Sequence, residues 1–262
     1  MTATPPRPER APRIVAHRGA SGTAPENTLA ALRRAAGLGA AWVEVDLSII
    51  GDGTVILHHD DTLDRCTDRS GPLSAITVAD LDRIDAGAWF DPAFRGEPLA
   101  TLAAALDLID AIGLAVNLEL KPHGADPNPL AQATAEALRQ RPTRAGRVTI
   151  SSFDHGALSA LRAHDEATPV AALYYALRED WRTTVTALNA EAVHCRLKET
   201  GPSDIAAAHA AGIALRCYTV NETDGAALVL REAGLDAVFT DFPERFLSDP
   251  AWAAWSMPDS PP

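Results

Sequence analysis

An α/β fold closed into a (β/α)8 barrel, with a hairpin and a small insertion after strand 2, is the fold class this sequence predicts. Two observations carry that reading. Short apolar or β-branched runs recur along the whole chain, nine in all, and most are separated by Ala/Leu/Arg-rich segments with helical spacing. One junction breaks the rule: only Gly51-Asp52-Gly53 separates two of the runs. A parallel crossover needs a dozen or more residues, so this junction is an antiparallel hairpin with a glycine-containing turn. With its return arm set aside, eight strands remain in 262 residues, and about 250 residues is the usual size of such a barrel.

The strands are expected at Ile14–His17, Trp42–Ile50, Thr54–His58, Leu114–Leu120, Val148–Ser152, Val170–Tyr174, Ala192–Arg196, Ala214–Val220 and Ala237–Thr240. Helices are expected at Leu29–Leu38, Leu99–Ala111, Pro129–Arg139, Ala157–His164, Arg182–Leu188, Ser203–Ala211 and Asp224–Ala233. The stretch from about residue 60 to 98 is too long for one crossover and reads as an insertion containing Trp89 and Phe90. The competing architecture is an open doubly wound sheet. Its dinucleotide-binding form needs Gly-x-Gly-x-x-Gly after a strand, and no strand here is followed by one. Residues 1–12 read as a polar, Pro-rich tail without the apolar core of a signal peptide, residues 13–248 as one barrel domain, and residues 249–262 as a second tail.

Composition narrows the function. A net charge of −12 argues against a nucleic-acid partner, which would meet a basic face. No apolar run approaches the ~20 residues that span a bilayer, so no stable membrane association is expected. The three cysteines, Cys66, Cys195 and Cys217, lack metal-like spacing and read as reduced thiols of a cytoplasmic protein.

Barrel sites form at the C-terminal ends of the strands. Strand 1 ends at His17-Arg18, the hairpin arm at His58-His59-Asp60, and strand 8 at Thr240-Asp241. Glu44 and Asp46 lie two apart on strand 2, as do Asn117, Glu119 and Lys121 on the next barrel strand, so alternation turns each set to one side. Val43, Val45, Leu47, Leu118 and Leu120 then face the helices. Three crowded carboxylates repel one another unless a cation sits among them. An all-oxygen set suits one Mg²⁺, Ca²⁺ or Mn²⁺ ion rather than Zn²⁺. Taken singly, each of these motifs is an ordinary turn or surface pair; the inference rests on their meeting at one rim. His58 and His59 compete for one inward position. His123, His155, His164, His194 and His209 read as surface or packing residues. A cation with an arginine, a lysine and two histidines suits a phosphate ester: cations offset phosphate charge while two imidazoles divide the proton work.

These residues fall in motifs by which the chain resembles the glycerophosphodiester phosphodiesterase family. The motifs are His17-Arg18-Gly19 with Pro25-Glu26-Asn27-Thr28, Glu44-Val45-Asp46, Gly51-Asp52-Gly53, "LHHDDTLDRCTDRSG" from Leu57, "GEPLATLAAAL" from Gly96, "NLELK" from Asn117, "SSF" from Ser151, "YTVN" from Tyr218 and "GLDAVFTDFP" from Gly234. The segment Asp85–Leu99 is similar to that of the compact cytosolic branch. The resemblance implies a TIM barrel of the phospholipase C-like phosphodiesterase type. It implies Glu44, Asp46 and Glu119 as metal ligands, and His17 and His59 as the acid–base pair, since His59 directly precedes Asp60. Arg18 and Lys121 are implied at the phosphate, and Phe153, Tyr218 and Asn221 at the substrate. The implied reaction is hydrolysis of a small-molecule glycerophosphodiester to glycerol 3-phosphate and an alcohol, with a cyclic phosphate as one route. Tyr218 stands where the family often has Trp, and Cys66 where Thr is common. A lysophospholipase D-like enzyme and a non-catalytic relative are the alternatives. The first calls for an apolar groove, and the second for a lost ligand or histidine; all five positions are kept here.

Overall fold

The computed structural model describes residues 13–141 and 147–256. Nine strands run in chain order: β1 (Ile14–Ala16), β2 (Trp42–Ile49), β3 (Val55–Leu57), β4 (Ala115–Leu120), β5 (Val148–Ser152), β6 (Val170–Tyr174), β7 (Ala192–Arg196), β8 (Ala214–Tyr218) and β9 (Ala237–Thr240). The helices are α1 (Leu29–Gly37), α2 (Leu102–Ile112), α3 (Asn128–Arg139), α4 (His155–His164), α5 (Trp181–Leu188), α6 (Pro202–Ala210), α7 (Gly225–Glu232), α8 (Pro243–Ser248) and α9 (Pro250–Ser256). The sheet order is β1-β9-β8-β7-β6-β5-β4-β2-β3, and β1 also pairs with β2, which closes eight parallel strands into a barrel. Only β3 is antiparallel; it returns along the far end of β2, with Leu47 opposite Leu57 and Ile49 opposite Val55.

Alternation sorts the side chains as expected. Val43, Val45, Leu47, Leu118 and Leu120 join Leu32, Leu106, Ile109, Leu158 and Leu161 in the core shared by strands and helices. On the opposite parity Val15, Trp42, Ala237 and Phe239 form a separate cluster. The next inward positions toward the strand C-termini are polar, and they build the site.

The insertion between β3 and α2 is three 3-10 turns, Leu73–Ala75, Val78–Arg83 and Pro92–Phe94. It has a small core of its own, in which Leu63, Leu73, Leu81 and Ile84 pack with Ile56 of β3. Asp85 pins its return, accepting hydrogen bonds from the backbone N–H groups of Gly87, Ala88 and Gly96 at 2.8–2.9 Å.

The C-terminal segment corrects the expectation of a tail from residue 249. Helix α9 carries Trp252 into the core, where it is 1% exposed. Its ring meets Phe246 edge-on at 4.9 Å and its indole N–H donates to the Thr223 carbonyl at 2.8 Å. Burying so large a ring with its one donor satisfied outweighs the polar, Pro-containing composition that suggested fraying. The ordered barrel unit therefore reaches Ser256; residues 257–262, like residues 1–12, lie outside the described residues. Among the described residues no helix is long and apolar enough to cross a membrane.

Candidate active site

The register of β2 against β4 sets the centre of the site. Glu44 pairs with Asn117 and Asp46 with Glu119, so adjacent parallel strands carry the carboxylates side by side. Glu44, Asp46 and Glu119 are all buried, and ligand oxygens of the three lie within 4.8 Å of one another. The Lys121 ammonium is 3.3 Å from Asp46 Oδ1 and 2.5 Å from Glu119 Oε1. The Arg18 Nε is 3.1 Å from Asp46 Oδ2. Burial opposes ionisation of Asp46, but the Arg18 and Lys121 charges overcome it and hold the carboxyl far below its usual range. Burial and the Asp46 charge push Glu119 up to about 7. Burial, Asp46 and Glu119 push Glu44 well above its usual range. Glu44 Oε1 is buried with no hydrogen-bond partner. A buried carboxylate oxygen without a donor, in an all-oxygen group of three, fits a hard divalent cation.

The loop after β1 is built around this cluster. Arg18 has φ +54°, and its backbone N–H donates to Glu44 Oε2 at 2.9 Å. Gly19 follows at φ +79°; a Cβ there would stand 2.6 Å from the Ala31 Cβ, so the close approach of this loop to α1 requires glycine. The Arg18 guanidinium is also tied to Glu26 by Nη1 at 2.7 Å. Asn27, at φ +57°, donates from Nδ2 to Asp46 Oδ2 at 2.9 Å and accepts from the Asp46 N–H at 3.0 Å. Thr28 caps α1, accepting from Ala31 N–H at 3.2 Å.

Two imidazoles flank the cluster, and each is backed by an aspartate. His17 Nδ1 lies 2.7 Å from Asp241 Oδ1, while its Nε2 is 3.8 Å from Glu44 Oε2. Asp241 is held in turn by Ser21 Oγ at 2.9 Å and Asn221 Nδ2 at 2.7 Å. Burial raises the Asp241 pKa, but the His17, Asn221 and Ser21 contacts bring it down to about 2. His59 Nδ1 lies 2.6 Å from Asp60 Oδ1, and burial pushes its imidazole below the usual range, against the pull of Asp46. Asp60 is ionised at neutral pH: burial is outweighed by Arg65 and His59, which hold it at about 2. An ionised carboxylate accepts from Nδ1–H, so in both residues the neutral ring leaves Nε2 as its free acceptor. His58 is buried and directs Nε2 to the Thr62 carbonyl at 2.8 Å, which leaves His59 as the ring in the cleft.

Arg65 connects these two parts. Its Nε is 2.6 Å from Asp60 Oδ2, and Nη1 and Nη2 each reach a Glu26 oxygen at 2.8 Å. The chain Arg18–Glu26–Arg65–Asp60–His59 therefore spans from the β1 loop to the hairpin.

A cleft of about 830 Å³ opens over the cluster, lined by His17, Arg18, His59, Lys121, Phe153 and Tyr218 among others. Phe153 lies 5.7 Å from the Lys121 ammonium and meets Tyr218 edge-on at 5.8 Å. The Tyr218 hydroxyl donates to the Tyr174 carbonyl at 2.7 Å, which fixes the ring. Asn221 departs from the expected place at the substrate. It does not line the cleft; its amide donates to the Asp241 carboxylate and accepts from the Asp241 N–H at 3.0 Å. The side chain is a short one, already satisfied by the turn after β9.

Sequence pattern assigns no role to Asp241, Asp60 or Arg65, and leaves Glu26 as a brace of the site and Asn27 or Thr28 as a helix cap without ranking them. Position alone flagged Asp241 at a strand end and Asp60 beside His59. His123 and His194, expected as surface or packing residues, line the cleft but are already engaged. His123 Nε2 is 2.9 Å from Ser48 Oγ, and His194 packs on Phe239 at 4.8 Å with Arg216 at 3.3 Å.

The model of the glycerophosphoryl diester phosphodiesterase family matches residues 17–245. The chain is similar to the glycerophosphodiester phosphodiesterase of Caldanaerobacter subterraneus, 30% identical over 236 residues that cover 90% of this chain and 96% of that protein. Among solved structures it is similar to an Oleispira antarctica phosphodiesterase in complex with the product sn-glycerol-3-phosphate, with TM-score 0.87 and 34% identity over 90% of this chain and 96% of that one. It also resembles the glycerophosphodiester phosphodiesterase of Agrobacterium tumefaciens, with TM-score 0.78 and 27% identity over 91% of this chain and 100% of that one.

Proposed function

The chain belongs to the glycerophosphoryl diester phosphodiesterase family and is a glycerophosphodiester phosphodiesterase, and on that premise we propose that its two aspartate-backed histidines divide the proton work of a divalent-cation-dependent hydrolysis. The observation that carries the reading is the pair of locked rings, His17 on Asp241 at 2.7 Å and His59 on Asp60 at 2.6 Å, beside one cluster of buried carboxylates.

Glu44, Asp46 and Glu119 would hold the cation, Mg²⁺, Ca²⁺ or Mn²⁺. A cation bound there would supply Lewis-acid stabilisation of the non-bridging phosphate oxygens. Arg18 presents its guanidinium to the same phosphate and Lys121 adds a point charge, so both offset the charge that develops in the transition state. The glycerol 2-hydroxyl is the nucleophile. One histidine Nε2 takes its proton as the new O–P bond forms. The other protonates the departing alcohol oxygen as its P–O bond breaks. Water then opens the cyclic phosphate with the two roles exchanged, which gives glycerol 3-phosphate. Ionised Asp241 and Asp60 keep Nδ1 protonated throughout and stabilise each imidazolium as it forms. The three buried free thiols fit a cytoplasmic setting.

The test is release of glycerol 3-phosphate from glycerophosphocholine, with Mg²⁺, Ca²⁺, Mn²⁺ or EDTA. Turnover is expected to need the cation, to fall sharply in His59→Ala and only mildly in His58→Ala, and to fail on a 2-deoxy substrate. EDTA-insensitive turnover or equal losses in the two histidine variants would overturn the mechanism.

A further inference from the structure

The cleft continues outward past Lys121 along a ladder of alternating cations and rings. The Lys121 ammonium lies 5.7 Å from the Phe153 ring, Phe153 lies 4.9 Å from Tyr175, and the Arg196 guanidinium stacks on Tyr175 at 4.9 Å. Tyr175 is 61% exposed, an unusual place for a ring unless something rests near it. Lys198 stands beside Arg196 on the same wall. Among the described residues neither Arg196 nor Lys198 forms an ion pair with a carboxylate, although the chain carries 35 acidic residues against 23 Lys and Arg. The carboxylates lining this cleft are Glu44 and Glu119, which belong to the central cluster, and Asp154. Asp154 is already engaged in capping α4, accepting from the Ala157 N–H at 3.2 Å. An acidic protein thus keeps two cations without an ion pair at the mouth of the cleft that holds the site, aligned with the phosphate-facing lysine.

From this juxtaposition we infer that the outer cleft is a second anion subsite, which selects glycerophosphodiesters whose alcohol carries its own phosphate. The inference rests on the proposed reading of the inner site, where Lys121 and Arg18 take the scissile phosphate. Stacking on Tyr175 fixes the guanidinium plane and leaves its N–H edge free, and that planar fork matches a phosphate better than it matches a single oxygen. Lys198 adds a mobile point charge. The same arrangement disfavours a quaternary ammonium alcohol, because the Tyr175 face that would hold it is taken by Arg196.

Four substrates test this: glycerophosphodiesters whose alcohol is glycerol, glycerol phosphate, serine or choline. The expected result is a kcat/KM about 10-fold or more higher for the phosphate-bearing alcohol than for glycerol, shrinking as ionic strength rises. In the double variant Arg196→Gln/Lys198→Gln that preference collapses toward unity, while Arg83→Gln/Arg139→Gln, an equal loss of two positive charges at exposed positions away from the cleft, keeps it. Thermal melts confirm that both variants fold. Equal rates on the glycerol and glycerol phosphate substrates, a preference that survives in the double variant, or a serine substrate as good as the phosphate-bearing one overturns the inference. Turnover of none of the four overturns the inner-site reading instead.

Discussion

Asn27 and Asp46 exchange two hydrogen bonds, amide to carboxylate at 2.9 Å and backbone N–H to amide oxygen at 3.0 Å. The asparagine sits on the β1 loop and the aspartate inside β2, so this pair docks the loop onto the acid cluster. Asn27→Asp keeps a residue that tolerates φ +57° but replaces the donor with a second carboxylate. Cation affinity is expected to fall about 10- to 100-fold, the usual effect of losing such an outer partner, with the circular dichroism spectrum unchanged. Calorimetric titration of the cation measures it.

Arg65 acts through others. It grips Glu26 and Asp60, which in turn hold Arg18 and His59. Arg65→Met is expected to lower kcat by about 10- to 100-fold with a smaller change in KM, because it loosens orientation rather than substrate contact. Arg65→Lys restores only part, since an ammonium cannot span both carboxylates in the same fork. Combined with Asp60→Asn, the losses are expected to be less than additive.

If Glu44 and Glu119 hold the cation as proposed, its binding competes with their protonation. Folding raises the Glu119 pKa from 4.5 to about 7 and raises Glu44 as well. A raised carboxyl pKa means the folded state holds the proton more tightly, so its stabilising effect is complete below pH 4.5 and is lost as pH rises through about 7. The chelator-treated protein is therefore expected to lose thermal stability between pH 5 and 8, and added divalent cation to restore it most at the upper end. Apparent cation affinity rises over the same interval, with proton release visible as a buffer-dependent enthalpy of binding.

Cys195 and Cys217 are fully buried, and burial pushes both thiols up to about 12. Cys66, 4% exposed, shifts likewise. All three are expected to ignore an aromatic disulfide reagent at pH 8 in the native protein and to react at once in denaturant. Their contribution to stability is present below pH 9.0 and is lost as pH rises through about 12.

Trp252→Ala removes the ring that seals α8 against α9. The expected loss is about 3–5 kcal/mol in urea unfolding, the range for deleting a buried aromatic, with activity per folded molecule retained. A loss below about 1 kcal/mol would mean the helix packs too loosely to be part of the domain.

The readability of this chain follows the range of the interactions. Glu44, Asp46 and Glu119 declared themselves because strand alternation is local, and two-residue spacing already decides which way a side chain points. The hairpin was legible for the same reason, since three residues leave room for nothing else. His17 and Asp241 are 224 positions apart, and their contact exists only because β9 closes on β1. Arg65 sits in an insertion with no regular period, so nothing near it in sequence announces Glu26 and Asp60 as partners. Asn221 and Asp241 show the limit of motif reasoning: both lie at the rim, yet only geometry shows that one positions the other.

The barrel seam has a consequence for synthesis. His17 is translated before Asp241, and every carboxylate of the cluster lies between them in sequence. A nascent chain halted after β8 contains the residues of the acid cluster and of the His59–Asp60 pair but lacks the strand that pairs with one edge of β1 and the carboxylate that backs His17. On the proposed mechanism, the second aspartate-backed histidine is therefore completed only when β9 closes on β1.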